Sequence, residues 1–150
     1  MKTDEYKKII MFAVDNEIEA YEFYKAVADK TKDGGLKKIF TELAQEEAGH
    51  RKLLEGLASG KGQMHFDESK DYKVAESINK PKLSMSMKPA DAIALAVKNE
   101  QAAMEMYKEM AGCSTDAGQK KMFQQLSNME QGHKVKLEDT FTNMAFPEAW

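Results

Sequence analysis

The chain is written twice. Residues 12–25, Phe-Ala-Val-Asp-Asn-Glu-Ile-Glu-Ala-Tyr-Glu-Phe-Tyr-Lys, align with 95–108, Leu-Ala-Val-Lys-Asn-Glu-Gln-Ala-Ala-Met-Glu-Met-Tyr-Lys, at an offset of 83. At the same offset Gly35, Phe40, Leu43, Glu47, Gly49, His50 and Leu54 meet Gly118, Phe123, Leu126, Glu130, Gly132, His133 and Leu137. A repeat of this length means one supersecondary unit used twice, each copy covering the apolar face of the other. Such halves pack best about a pseudo-twofold axis. A residue kept in both copies then faces its twin.

The unit is a helical hairpin. Apolar residues recur at helical spacing in four segments, about 4–31, 36–57, 88–112 and 118–144. Ile10, Val14, Ala20, Tyr21, Tyr24 and Val27 mark the first stripe, and Ile93, Val97, Met104 and Tyr107 the third. Phe123, Leu126, Leu137 and Phe141 mark the fourth. Only 12 of 150 residues are Gly or Pro, which leaves few turns and favours long helices. Tight connections within each half make its two helices antiparallel neighbours. Residues 58–88 form a long crossover, with a short helix near 69–78. The expectation is an all-α four-helix bundle, two hairpins joined by a long crossover, forming one domain over 1–150.

Several function classes are excluded early. The formal net charge of -3 offers no footprint for nucleic acid or an anionic membrane surface. No apolar run approaches the roughly 18 residues of a membrane span, and no secretory signal opens the chain. Cys113 alone supports neither a disulfide framework nor a multi-cysteine metal site. A reduced, cytoplasmic setting is expected. The 11 Met read as adaptable core packing.

The informative residues are polar ones inside the apolar stripes. The second stripe reads Leu43, Glu47, His50, Leu54, and the fourth reads Leu126, Glu130, His133, Leu137. Glu and His there occupy core positions. Glu17 lies on the face of Val14, Tyr21 and Tyr24, and Glu100 on that of Val97, Met104 and Tyr107. The core should therefore hold four carboxylates and two imidazoles at one level. Uncompensated buried ions cost several kcal/mol each, enough together to exceed a domain's net stability of about 5–15 kcal/mol. Two divalent cations would neutralise the four carboxylates. Oxygen and imidazole donors suit iron, manganese or zinc. Two Glu-x-x-His motifs plus one Glu from each remaining helix is a known ligand plan for dimetal bundles. Without metal, the same residues would be surface turns or a polar layer fixing register.

At these residues the chain resembles the ferritin-like superfamily, and its rubrerythrin-like branch most closely. Glu-x-x-Ala-x-x-Phe-Tyr stands here as Glu17 to Tyr24, with a variant at Glu100 to Tyr107 carrying Met106 for Phe. The resemblance implies a ferritin-like fold and a carboxylate-bridged centre of two iron ions. By motif position it makes Glu47 and Glu130 bridging ligands. Glu17 and Glu100 become terminal carboxylates, and His50 and His133 terminal nitrogen ligands. Rubrerythrin proper also carries a four-cysteine rubredoxin domain, which one cysteine cannot build, so an external donor such as a rubredoxin-like protein is implied. Its additional third-helix Glu is here Ala103, matching Ala20 in the first half.

Tyr24 and Tyr107 lie seven residues after Glu17 and Glu100, two turns along the same face. Each either donates to a ligand carboxylate beside the reactive centre or packs in the core with its hydroxyl bonded elsewhere. Glu22, Glu105 and His65 read as solvated, and Cys113 as inert. The functional expectation is a non-haem di-iron oxidoreductase that scavenges O2 or H2O2, or a ferroxidase. The alternative is a non-catalytic module holding iron, manganese or zinc for structure or sensing. A homodimer is expected, with crossover residues Met85 and Met87 contributing apolar surface. The repeat further predicts two metals with near-equivalent sets of ligands.

Overall fold

The computed structural model describes residues 3–59, 64–69, 83 and 89–143. Four helices carry nearly all of them: α1 (Thr3–Lys30), α2 (Gly34–Ser59), α3 (Pro89–Cys113) and α4 (Ala117–Asn143). These limits fall within two residues of the periodicity. The expected short helix at 69–78, Met85 and Met87, and the Phe141 side chain lie outside the described residues.

Repeated chemistry starts the second helix of each hairpin. The Asp33 carboxylate accepts from the backbone N–H groups of Gly35 and Leu36, at 2.8 and 3.0 Å. Asp116, its counterpart at the offset of 83, accepts from Gln119 N–H at 2.9 Å. Both are N-caps, which satisfy donors that a helix start leaves open. In consequence each hairpin turns within a few residues, and α1 packs along α2 as α3 packs along α4.

The core falls into two apolar clusters, one towards each end of the bundle. Tyr6, Ile9, Ile10 and Val14 of α1 pack with Leu54, Met110, Phe123 and Leu126. Val27 and Ala28, from the other end of α1, pack with Phe40, Leu43, Ile93 and Leu137. Thus α1 and α4 run one way, and α2 and α3 the other. The crossover has to join opposite ends of the bundle, about 39 Å for a 26-residue helix. Repeat partners separate between the clusters: Tyr24, Phe40, Leu43 and Leu137 lie in one, Tyr107, Phe123, Leu126 and Leu54 in the other. A pseudo-twofold exchanges the two ends.

One end is closed by residues 64–69. Phe66 stacks on Tyr6 at 4.2 Å, and Asp67 N–H donates to Cys113 O at 2.7 Å. Gln119 holds the His65 backbone through both its amide groups, at 2.9 Å each. His65, Glu22 and Glu105 are exposed, as the sequence indicated, and Cys113 is buried.

Candidate metal centre

Between the two apolar clusters lies a polar layer. Glu17, Glu47, His50, Glu100, Glu130 and His133 are each at most 3% exposed. One Glu comes from α1, one from α3, and a Glu-x-x-His pair from each of α2 and α4. All six residues expected from the sequence meet there.

The two histidines stand almost parallel, with ring centres 5.6 Å apart and planes 12° from each other. Each turns Nδ1 inward and across the bundle. His50 Nδ1 lies 2.6 Å from Glu130 Oε1, and 3.7 and 3.8 Å from Glu47 Oε1 and Glu17 Oε2. His133 Nδ1 lies 2.7 Å from Glu47 Oε1, and 3.7 and 3.8 Å from Glu100 Oε2 and Glu130 Oε1. Two four-residue groupings result, with donor atoms within 4.8 Å of one another. One is Glu17, Glu47, His50 and Glu130, the other Glu47, Glu100, Glu130 and His133. Glu47 and Glu130 belong to both.

The donor atoms are not satisfied by one another. Among the described residues, seven of the eight buried side-chain atoms without a hydrogen-bond partner are in this layer. They are Oε2 of Glu17 and Glu100, Oε1 of Glu47 and Glu130, Nδ1 of both histidines, and Nε2 of His50; the eighth is Gln101 Oε1. Even the contacts of 2.6 and 2.7 Å lack hydrogen-bond directionality. Buried polar atoms are rarely left this way, and lone pairs converging on shared points suit cations. The residues present fit a dimetal group.

The other carboxylate oxygens are held. Tyr24 on α1 donates to Glu100 Oε1 on α3 at 2.6 Å, and Tyr107 on α3 donates to Glu17 Oε1 on α1. Of the two readings the sequence left open for these tyrosines, donation to a carboxylate is the one observed. Burial, then neighbouring carboxylates, holds both phenols well above their usual range, so they remain donors.

Burial first, then the charges of Glu100 and Glu17, pushes Glu47 and Glu130 well above the usual carboxylate range. Burial acts on Glu100 in the same sense. The polar groups facing it, Glu130, His133 and the Tyr24 hydroxyl, outweigh it and hold the group below the ordinary value. His133 is raised although burial opposes its charge, because Glu100 and Glu46 face it. Without metal, protons on Glu47 and Glu130 relieve the repulsion.

Glu46 is the residue that sequence reasoning missed. It pairs with His133 Nε2, on the side of the ring away from the centre. Its counterpart at the offset of 83 is Met129. The two halves therefore match in all six candidate ligands but differ behind the histidines, because thioether and carboxylate differ in what they can accept. The broken repeat beside a retained Glu was the available signal.

A cavity of about 20 Å³ adjoins the carboxylates on the side away from the histidines. Glu17, Glu47, Glu100 and Glu130 line it with Tyr24, Tyr107, Asn16, Asn99, Ala20, Ala103, Met106 and Leu83. Asn16/Asn99 and Ala20/Ala103 are repeat pairs, so small side chains from both halves leave the space. The volume suits one or two water-sized molecules.

A four-helix bundle with a buried Glu/His layer of this composition defines the class of bundle proteins built to hold a carboxylate-rich dimetal centre. The model of the Rubrerythrin family matches residues 8–141, and the chain belongs to that family. Among solved structures it is similar to a hypothetical protein from Pyrococcus furiosus, at 27% identity and a TM-score of 0.70, covering 91% of this chain and 87% of that one. A putative ferritin-like diiron-carboxylate protein from Thermotoga maritima matches at 20% identity and a TM-score of 0.68, covering 95% and 96%. An uncharacterized conserved protein from Magnetospirillum magnetotacticum matches at 23% and 0.61, covering 92% and 94%. No curated protein matches significantly. No helix among the described residues is long and apolar enough to cross a membrane.

Proposed function

We propose that the protein is a non-haem di-iron oxidoreductase that reduces O2 or H2O2. The observation that carries this reading is two donor sets sharing Glu47 and Glu130 beside a cavity of diatomic size. Glu47 and Glu130 would bridge the ions. Glu17 with His50, and Glu100 with His133, would complete the two ends. When bound, two ferrous ions supply one electron each, enough to take O2 to hydrogen peroxide or hydrogen peroxide to two waters.

The protein's own part is to hold and insulate. Four carboxylates offset the charge of two divalent ions, and the apolar clusters on either side keep bulk water out. Tyr24 and Tyr107 fix Glu100 and Glu17 so that each keeps one oxygen turned inward. The cavity admits a small oxidant and excludes an organic substrate. Electrons return from an external donor of rubredoxin-like kind, the native setting being the cytoplasm and the working form a homodimer.

The test is anaerobic loading with two ferrous equivalents, then addition of O2 or H2O2. Oxidation followed by near-ultraviolet absorption of the ferric product, with turnover when a reduced rubredoxin is supplied, is expected. A colourless metal-loaded form inert to both oxidants would instead favour the non-catalytic metal module.

A further inference from the structure

We propose that the two metal positions fill in order, the Glu100/His133 position first, because Glu46 positions His133 and nothing equivalent positions His50. This rests on the dimetal reading but goes beyond it, since ligand identity alone makes the halves equal.

Both histidines present Nδ1 to the centre. A neutral imidazole that ligates through Nδ1 carries its proton on Nε2. On His133 that N–H donates a hydrogen bond to the Glu46 carboxylate, which fixes the tautomer, steadies the ring and makes Nδ1 a better ligand. His50 Nε2 is buried and has no hydrogen-bond partner among the described residues. Ligation there strands a buried N–H group without an acceptor. The competing tautomer places the proton on Nδ1, where it blocks metal binding, and among the described residues no acceptor at Nε2 of His50 disfavours that form as Glu46 does for His133. The repeat isolates the cause. Glu46 and Met129 are counterparts one residue before Glu47 and Glu130, whereas the ligands and tyrosines of the two halves are identical.

Outer partners of metal-bound histidine change affinity by about 10–100-fold. Anaerobic titration with cobalt(II), followed by its visible absorption, should resolve two steps with dissociation constants at least about tenfold apart. Anomalous diffraction from crystals at one equivalent should put cobalt mainly at Glu100/His133. The double variant Glu46→Met with Met129→Glu transplants the carboxylate to the other half and should reverse the order. General destabilisation cannot produce that reversal. Equal filling of both positions in the wild type, or an unchanged order in the exchanged variant, overturns the proposal while leaving the dimetal reading intact. Failure of the wild type to bind cobalt, ferrous or manganese ions overturns the dimetal reading itself.

Discussion

The Tyr24 hydroxyl on α1 donates to Glu100 Oε1 on α3 at 2.6 Å, tying one hairpin to the other. Its repeat partner, Tyr107, makes the reciprocal bond to Glu17. Each hairpin thus steadies a carboxylate of its twin. Tyr24→Phe keeps the ring and removes the bond, leaving a buried carboxylate oxygen unpartnered. A hydrogen bond to a charged group contributes about 1.5–3 kcal/mol. The variant should lose about that much stability by denaturant titration and weaken metal at the Glu100 position. A loss confined to the Glu17 position would contradict the crossed pairing.

Shared and unshared carboxylates should be separable by stoichiometry. Glu47→Ala removes a donor common to both sets and should impair both ions. Glu17→Ala should weaken mainly the ion beside His50, and Glu100→Ala mainly the ion beside His133. Ferrous titration under argon checks this. If Glu47→Ala retained two tight sites while Glu17→Ala lost both, the bridging and terminal roles would be exchanged.

Metal should be worth more to the fold at high pH. Glu47 and Glu130 are raised above their usual 4.5 in the folded state, so the metal-free fold binds protons that the unfolded chain has released. Its stability therefore falls as pH rises above 4.5. His133, raised from 6.5, acts in the same sense, since its contribution is complete below 6.5 and is lost as pH climbs through the folded value. Glu100, lowered, acts oppositely but only below 4.5. Metal takes the place of the protons and removes this dependence. The melting temperature gap between metal-loaded and metal-free protein should widen from about pH 5 to pH 8. A constant gap would remove the metal's role in the fold.

The fold and the six-residue layer were legible because both are periodic. Glu and His inside a stripe of Leu43, Leu54, Leu126 and Leu137 occupy core positions, and the offset of 83 paired them. Periodicity says nothing about which partner across the bundle a side chain reaches. The Tyr24–Glu100 crossing was therefore not legible, since Glu17 and Glu100 are equally available to a tyrosine two turns away. Glu46 was hidden differently. It is only half-buried and lies off the stripe, so its role depends on the opposing helix bringing His133 to it. Crossover residues such as Leu83, whose N–H donates to Glu19 at 2.7 Å, have no period to betray them.

Access to the centre should depend on Ala103. This residue and Ala20, its counterpart, line the cavity beside the carboxylates, and neither supplies a donor atom. With about 20 Å³ of free space, the added bulk of Ala103→Leu fills the room an oxidant needs. Ferrous stoichiometry should stay at two, since all six donors remain. Oxidation by H2O2 or O2, followed by stopped-flow absorption, should slow by about tenfold or more, as about 1.4 kcal/mol of added barrier gives. Leu57→Ala, a substitution beside the same apolar cluster but outside the cavity, serves as the stability control. Ala103→Leu reacting at the wild-type rate with both ions bound would move the approach of the oxidant to another side of the layer.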